Sequence, residues 1–273
     1  MKTDALPKKV VLITGGSSGI GKSIAEYLQK KNYMVYGTSR NPEKFTDNSV
    51  PLVALDVTDK ETIGVALSEV LQKEGRIDIL INNAGVGITG PLEETPEDEI
   101  KKAFETNYFG PLNLIKAVLP QMRKQKGGLI INITSIAGYM GLPYRGIYSA
   151  TKGALEITTE AFRMELKDFN IQMTNVAPGD FATNIAAGRY HAPVREESPY
   201  NKPYSVTLKV MNDHVDAGKD PELMAKAVYK IIRTKNPKGH YRVGEQLQKL
   251  SIGLKRILPD KVYEKMLLKF YKL

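Results

Sequence analysis

Short apolar runs alternate with amphipathic segments along the first two thirds of the chain. The segments between the runs carry apolar residues at three- and four-residue spacing, as at Ile24, Ala25 and Leu28, which predicts helices. Strands that alternate with helices are typical of a parallel sheet with helices on its faces. The pattern therefore predicts an α/β fold with strands at 10–13, 35–38, 51–55, 77–81, 129–134 and 171–177 and a further short strand at 241–243.

The first apolar run ends at a glycine-rich loop, whose sequence from Thr14 to Gly21 is TGGSSGIG. Glycines let the backbone turn tightly and approach a pyrophosphate, and free N–H groups at the start of the following helix meet its charge. The spacing is GxxxGxG rather than GxGxxG, and a plain turn is also rich in glycine. The order strand, glycine loop, helix, strand nevertheless favours dinucleotide binding.

The end of the second predicted strand indicates which dinucleotide would bind. An acidic residue about 20 positions beyond the glycines would bond the ribose 2′-hydroxyl of NAD, but the sequence there is Thr38, Ser39 and Arg40. A guanidinium can bind a 2′-phosphate through two parallel hydrogen bonds, whereas a carboxylate would repel it. We therefore expect NADP(H) as the cofactor; the alternative is an arginine that is merely exposed at a strand end.

A second group of reactive side chains lies at 135–152. Tyr148 and Lys152 are four residues apart, so on a helix both project from one face and place an ammonium beside a phenol. A nearby cation favours the phenolate, which lets a tyrosine exchange protons at lower pH than it otherwise would. Ser135 follows the fifth predicted strand and supplies a hydroxyl. This spacing also arises by chance in many helices, but the glycine loop, Asn82–Gly85 and Ser135 all fall at strand ends, where ligands of parallel sheets bind.

Composition limits the alternatives. The 273 residues are 42% hydrophobic, which is enough for one sizeable core, and we expect a single domain over 1–273. The formal net charge is +9, yet no nucleic-acid recognition motif accompanies it, so we expect no nucleic-acid partner. The chain has no cysteine and no run of about 18 apolar residues. We therefore expect a soluble, cytoplasmic protein without disulfides or a thiolate metal site.

Together these motifs resemble those of the short-chain dehydrogenase/reductase family. The resemblance spans roughly residues 8–183 and rests on motifs in the family's order and spacing, namely TGGSSGIG, NNAG (Asn82–Gly85), Asn107, Ser135, YSATK (Tyr148–Lys152) and the pair Pro178 and Gly179. It implies a doubly wound Rossmann-type three-layer sandwich with a mostly parallel seven-stranded sheet. It also implies hydride transfer between nicotinamide and a carbonyl or secondary alcohol, a reaction that requires no metal.

The resemblance further implies a role for each matching residue. Tyr148 would be the catalytic acid and base, and Lys152 would both assist its ionisation and hold the nicotinamide ribose. Ser135 would orient the substrate oxygen, and Asn107 would support a proton-relay water. The cofactor contacts would be Gly15, Ser17, Ser18, Gly19, Ile20, Gly21, Ser39, Arg40, Asp56, Val57, Asn83, Ala84, Gly85, Tyr148, Lys152, Pro178, Gly179 and Thr183. Many NADP-preferring members carry a second basic residue in the glycine loop, where this chain has serines.

The segment 184–216 is rich in tyrosine, proline, asparagine and lysine and follows the sixth predicted strand. We expect it to form a mobile lid that excludes water and selects substrate; the alternative is an ordinary surface excursion. Its apolar and tyrosine-rich composition favours a hydrophobic carbonyl or alcohol as substrate. A non-catalytic NADPH-binding sensor or scaffold is the alternative function, but it would not need Ser135, Tyr148 and Lys152 together.

The final segment, 245–273, is basic and amphipathic. Three structures compete: packing on its own domain near the substrate pocket, pairing with another subunit, and peripheral contact with an anionic membrane. Pro259 would break the helix, and Asp260 and Glu264 interrupt its basic face. We therefore favour packing or assembly into a homodimer or homotetramer over membrane contact.

Overall fold

A seven-stranded parallel sheet forms the centre of the protein in the computed structural model, which describes residues 8–181, 188–216 and 218–273. Its strand order is β3-β2-β1-β4-β6-β7-β9, and β5 and β8 pair in a separate two-stranded parallel sheet. The strands are β1 (Val10–Ile13), β2 (Met34–Ser39), β3 (Leu52–Ala54), β4 (Ile79–Asn82), β5 (Ile88–Thr89), β6 (Gly128–Ile133), β7 (Ile171–Pro178), β8 (Tyr190–His191) and β9 (His240–Val243). The predicted fold class is confirmed, and each predicted strand matches an observed one to within two residues at either end.

Helices cover both faces of this sheet. They are α1 (Gly19–Lys30), α2 (Lys60–Glu74), α3 (Glu97–Phe104), α4 (Gly110–Lys124), α5 (Gly146–Glu165), α6 (Asn201–Asp216), α7 (Glu222–Ile232), α8 (Gln246–Ile257) and α9 (Asp260–Phe270). Side chains alternate between the faces along each strand, so Val10 and Leu12 of β1 join one core with α2 and α4, while Val11 and Ile13 join the other with α1 and α7. Burial on both faces explains why these strands are almost continuously apolar.

The strand order reverses direction at β1, between β2 on one side and β4 on the other. The chain runs outward from β1 to β3, then returns to place β4 beside β1 and continues to the opposite edge. In sheets of this type the crevice at the carboxyl ends of the two strands at the reversal binds the ligand. The glycine loop follows β1 and the NNAG turn follows β4, so both predicted loops lie at this point.

A π-helical turn interrupts the helical segment that follows β5. This segment contains α3, the π-helical turn at Glu105–Phe109, and α4. The π turn inserts an extra residue into the helical spiral, which rotates Asn107 inward, where it is fully buried. A local change of helix geometry thus accounts for the buried position of this polar side chain.

The predicted lid is partly a helix. Residues 184–187 lie outside the described residues, and the remainder contains β8 and α6. Tyr204, Val210 and Met211 are buried on α6, and Tyr204 Oη donates to the carbonyl oxygen of Ala192 at 3.1 Å. This helix is therefore packed on the domain, and movement of the segment stays a prediction.

The C-terminal helices pack on their own domain. Ile252 of α8 and Tyr263 of α9 join a small core with Ile136, Met140 and Ala177 beside the end of β7. As expected, Pro259 separates the two helices. No helix in the described part of the chain is long and apolar enough to span a membrane. Pairing with another subunit and peripheral membrane contact stay predictions.

Candidate active site

The glycine loop between β1 and α1 is held by the NNAG turn. Gly15 has φ of +65°, a conformation that other residues rarely adopt, and a Cβ on Gly21 would fall against the Gly15 carbonyl oxygen. Asn83 Nδ2 donates to the carbonyl oxygens of Thr14 at 2.9 Å and Gly15 at 3.3 Å. Thr14 Oγ1 accepts from the backbone N–H groups of Asn83 and Ala84, both at 2.9 Å. The two loops therefore form one rigid unit.

The first turn of α1 has the properties of an anion site. Its backbone N–H groups have no partner within the helix, and the helix dipole places partial positive charge there. Ser18 at the N-cap makes no side-chain capping bond, and the first turn has no acidic residue. Ser17, Gly19 and Ile20 are partly exposed at this turn. A pyrophosphate would therefore meet unpartnered donors.

Other predicted cofactor residues lie at the ends of β2 and β3. Ser39 ends β2, and the side chain of Arg40 directly after it is exposed to solvent. Asp56 follows β3, and its Oδ1 accepts from the backbone N–H of Thr58 at 2.9 Å. Val57 is buried beside it. A cation and an apolar wall thus lie where the adenosine half of a dinucleotide would extend from the glycine loop.

Tyr148 and Lys152 lie on the first two turns of α5, beside the end of β6. Their side chains are buried, at 8% and 5% exposure, and Lys152 Nζ donates to the carbonyl oxygen of Ile133 at 3.1 Å. Burial lowers the pKa of Lys152, and the neighbouring Tyr148 and Glu156 oppose that fall. Ser135 Oγ accepts from the backbone N–H of Ala137 at 3.2 Å, so its hydroxyl can still donate to a substrate oxygen.

Asn107 connects the NNAG turn to α5. Its Oδ1 accepts from the Val86 N–H at 2.8 Å, and its Nδ2 donates to the Val86 carbonyl at 2.9 Å and to Thr151 Oγ1 at 3.2 Å. A Cβ on Gly85 would lie 3.1 Å from Asn107 Oδ1 and 3.3 Å from Lys152 Nζ. Glycine at this position therefore leaves space beside the ammonium, and Asn107 fixes the backbone around that space.

Ser135 and Tyr148 line one cavity of about 340 Å³, together with Ile20, Pro178 and Gly179. Its remaining walls are mostly apolar and come from β5, α6 and the two C-terminal helices. A second cavity of about 510 Å³, lined by Lys9, Arg76 and Asp78 among others, lies at the opposite edge of the sheet and includes none of the predicted catalytic residues. Two of the predicted catalytic residues, Ser135 and Tyr148, therefore line the mostly apolar cavity. Thr183 lies outside the described residues.

A buried carboxylate that no sequence motif indicated lies behind Lys152. Glu156, at 4% exposure, accepts hydrogen bonds from Thr134 Oγ1, from Tyr139 Oη at 3.0 Å and from Asn175 Nδ2 at 2.9 Å, and its Oε2 lies 2.6 Å from His240 Nδ1. Burial and Glu156 raise the pKa of Tyr139. The spacing of four residues from Lys152 is the signal that could have placed Glu156 on the same helix face.

Replacing Glu156 with alanine is expected to lower the free energy of unfolding by about 3 kcal/mol. The change removes the carboxylate acceptor of Thr134, Tyr139 and Asn175, although Asn175 Nδ2 keeps its bond of 3.2 Å to the backbone carbonyl oxygen at position 156. In a chain of this size it corresponds to a fall in Tm of about 6–12 °C. Thermal and urea unfolding measure it, with Glu165→Ala as an exposed control on the same helix. An equal Tm and an equal free energy of unfolding in the two variants would contradict the structural role of Glu156.

A further pair that the sequence analysis did not single out lies at the cavity wall. The Arg145 guanidinium carbon is 5.2 Å from the centroid of the Tyr148 ring, and Arg189 lines the same cavity. They are 44 positions apart in the chain, and Arg189 directly precedes β8, which pairs with β5. No local pattern in the sequence predicts this convergence.

These residues fit a bound nicotinamide dinucleotide. The uncapped first turn of α1 suits its pyrophosphate, and the space that Gly85 leaves beside Lys152 suits a ribose hydroxyl. Pro178, Gly179 and Ile20 line the same cavity as Tyr148, so a nicotinamide against them would lie next to that side chain.

Comparisons with known proteins agree with this geometry. The short chain dehydrogenase family matches residues 9–193. The 3-ketodihydrosphingosine reductase of Bacteroides thetaiotaomicron is 40% identical over 264 residues, which cover 96% of this chain and 98% of that protein.

Two solved structures are also similar along nearly their whole length. A short-chain dehydrogenase from Streptomyces avermitilis has a TM-score of 0.78 and 33% identity, covering 96% of this chain and 99% of the other. A short chain dehydrogenase from Burkholderia cenocepacia in complex with NADP has a TM-score of 0.75 and 27% identity, covering 96% and 98%. Another structure of this fold, from Burkholderia phymatum, was solved in complex with NAD. With its fold, its motifs and its relatives in agreement, the chain belongs to the short-chain dehydrogenase/reductase family of oxidoreductases.

Proposed function

We propose that this protein is an NADP(H)-dependent oxidoreductase that interconverts a carbonyl and a secondary alcohol on an apolar small molecule. The observation that carries the proposal is the position of the Ser135 and Tyr148 hydroxyls in one mostly apolar cavity, with Lys152 buried behind them. A sensor or scaffold protein has no use for a buried ammonium beside a phenol at the wall of a cavity. The geometry therefore favours catalysis over that alternative.

The side chains divide the reaction between them. The bound nicotinamide supplies or accepts the hydride. In the direction of reduction, Ser135 donates a hydrogen bond to the carbonyl oxygen, and Tyr148 donates the proton as negative charge develops on that oxygen. The Lys152 ammonium stabilises the resulting phenolate. In oxidation, Tyr148 takes the proton back.

Preference for NADP(H) rests on Arg40. Its exposed guanidinium directly follows β2, close to where the adenosine ribose extends from the glycine loop, and no carboxylate stands at the end of this strand. A planar guanidinium suits a phosphate monoester. Ser17 and Ser18 add hydroxyl donors in place of a second cation.

Arg40→Ala is expected to raise KM for NADPH by about 10- to 100-fold, because a charge-assisted pair with the 2′-phosphate is lost. KM for NADH should change less than about twofold, since that cofactor has no 2′-phosphate. Steady-state kinetics with both cofactors measure this, and Lys30→Ala, at an exposed position on α1, is the control. An equal loss with both cofactors would remove Arg40 from 2′-phosphate recognition.

A long-chain ketone is the substrate class that this cavity favours. Its walls include Leu142, Met211, Leu254, Met266 and Leu267, and apolar walls reward burial of an alkyl chain. The name of the Bacteroides relative points the same way, because 3-ketodihydrosphingosine is a long-chain ketone.

A screen of NADPH oxidation against long-chain ketones, steroids, retinoids and quinones tests the proposed function. We expect turnover with at least one long-chain ketone in the wild type and about 1000-fold less in Tyr148→Phe. NADPH binding without turnover of any compound would favour the non-catalytic alternative. A cytoplasmic location and a homodimer or homotetramer are further parts of this proposal.

A further inference from the structure

Arg189 is unusual among the residues of the substrate cavity. Its Nη1 is buried and has no hydrogen-bond partner in the described part of the chain. Buried guanidinium groups normally bond to a carboxylate, a phosphate or several carbonyl oxygens, because a buried donor without a partner is costly. Its unpartnered nitrogen is therefore a sign that a ligand completes the site.

The position of Arg189 is also supported by its surroundings. The Arg189 side chain packs against Gly87, just before β5. A Cβ on Gly87 would lie 2.8 Å from Arg189 Cγ and 3.0 Å from its Nε. Any larger residue at position 87 would displace the side chain. The backbone beside it is held because the N–H of Tyr190 donates to the carbonyl oxygen of Gly87 at 3.0 Å. The guanidinium thus projects from a fixed strand pair.

Arg145 lies close to the same point. Its guanidinium carbon is 5.2 Å from the Tyr148 ring centroid, and its charge is close enough to Arg189 to lower the pKa of that side chain. Burial contributes most to that lowering. On the other wall, Arg145 opposes the rise that burial causes in the pKa of Tyr271. Both side chains are half-buried, and an anion between two like charges at a partly desolvated site offsets their mutual repulsion.

One carboxylate of the cavity lining opposes part of this positive charge, because Asp180 acts to raise the pKa of Arg189 against burial and Arg145. Asp180 is the acidic residue among the described residues that line the cavity, and its Oδ2 accepts from Gln248 Nε2 at 2.7 Å. It forms no ion pair within 4.0 Å with either arginine among the described residues. The side of the cavity next to Tyr148 therefore keeps an excess of positive charge.

We propose that Arg145 and Arg189 form an anion subsite, so that the substrate is a long-chain ketone with a carboxylate or phosphate a few bonds from the reacting carbon. The alkyl chain lies against the apolar walls, the ketone oxygen meets Ser135 and Tyr148, and the anionic group lies between the two guanidinium groups. Such a site disfavours a ketone with a cationic amine beside the carbonyl, and 3-ketodihydrosphingosine is such a ketone. This inference rests on the proposed function for the ketone and on the arginines for the anion.

Matched ketones test the substrate class. The wild type is expected to reduce 4-oxotetradecanoate with about tenfold or greater kcat/KM than its primary amide, since only the carboxylate pairs with the arginines. A long-chain 1-hydroxy-2-ketone phosphate shows whether the site prefers a phosphate to a carboxylate, and 3-ketodihydrosphingosine is the ketone with a cationic amine.

Variants of the arginine site test the same preference. In Arg189→Met the ratio of kcat/KM for the carboxylate to kcat/KM for the amide should fall to about twofold or less, and in Gly87→Leu this ratio should fall as well. Arg195→Met, an exposed arginine of the same segment, should keep the wild-type ratio.

Binding of a non-reducible probe separates this inference from the proposed reaction. Calorimetric titration of the NADP⁺-saturated protein should give about tenfold tighter binding of decanoate than of decanamide, and Arg189→Met should remove the difference. A wild type that binds the two probes equally, or that prefers the amide or amine ketone, overturns the anion subsite. If Arg189→Met raises KM for NADPH and leaves the carboxylate preference intact, Arg189 binds cofactor and the inference is wrong. Carboxylate preference in binding without turnover of any ketone would overturn the proposed reaction and retain the subsite.

Discussion

Tyr148→Phe is expected to lower kcat about 1000-fold with little change in the fold or in cofactor binding. The substitution removes one hydroxyl and keeps the buried ring, which packs with Ile88 and Ala103 and lies under the Arg145 guanidinium. General acid catalysis by a positioned side chain contributes about 100- to 10,000-fold, so its loss leaves hydride transfer without a proton source for the developing alkoxide. The residual rate should come from Ser135 and from the orientation of the substrate.

Two measurements and a control variant separate this effect from a structural one. NADPH affinity, measured by fluorescence titration, should stay within about twofold of the wild type. The Tm should stay within about 3 °C of the wild type. Tyr144→Phe is the matched control, because Tyr144 packs against Tyr204 close to the cavity and loses the same hydroxyl. Near-normal turnover in Tyr148→Phe on an identified substrate would remove Tyr148 as the acid and base.

The sheet could be predicted from the sequence because its physical cause is local. A strand covered on both faces must be apolar at nearly every position, as in β6, whose residues Leu129 to Ile133 include one polar side chain. Parallel strands bring their carboxyl ends to one edge of the sheet, so the loops after β1, β4 and β6 necessarily lie close together. The edge that carries the site therefore follows from the pattern alone.

The inward turn of Asn107 could not be predicted in this way. Its stabilising bonds are made with Val86, 21 positions earlier, and with Thr151, 44 positions later. Helical periodicity contains no information about those partners and predicts a regular helix through the position. The π-helical turn exists because buried hydrogen bonds with distant residues outweigh one turn of regular helical geometry.

The cavity wall is also decided by distant contacts. Arg145 and Arg189 look like ordinary surface arginines in the sequence, and only the pairing of β5 with β8 brings the second of them to the first. The same holds for α6, because the tyrosine- and proline-rich composition predicted a lid without indicating a helix, and the burial of Tyr204, Val210 and Met211 stabilises a helix within it. The predicted catalytic residues could be named from motifs, whereas the two arginines that we propose to select the substrate could be recognised only in the structure.

Lys152→Met is expected to lower kcat about 100-fold and to weaken NADPH binding about tenfold in the same variant. The ammonium lies beside the Tyr148 phenol and beside the space next to Gly85, so we expect it to serve both the proton transfer and a ribose hydroxyl of the cofactor. Methionine fills nearly the same volume and carries no charge. Single-turnover kinetics measure the first effect, and fluorescence titration with NADPH measures the second.

The stability of Lys152→Met should not fall with its turnover and NADPH affinity. Burial lowers the pKa of Lys152, which means that the folded protein holds the charged form less favourably than the unfolded chain does. At pH 7 the charge therefore destabilises the folded state, and this cost disappears with methionine, apart from the lost bond to the Ile133 carbonyl. The Tm should stay within about 3 °C of the wild type or rise, while kcat and the affinity for NADPH fall. If only turnover falls, or only NADPH affinity, then Lys152 serves one of the two groups and the other contact must come from a different residue at this edge of the sheet.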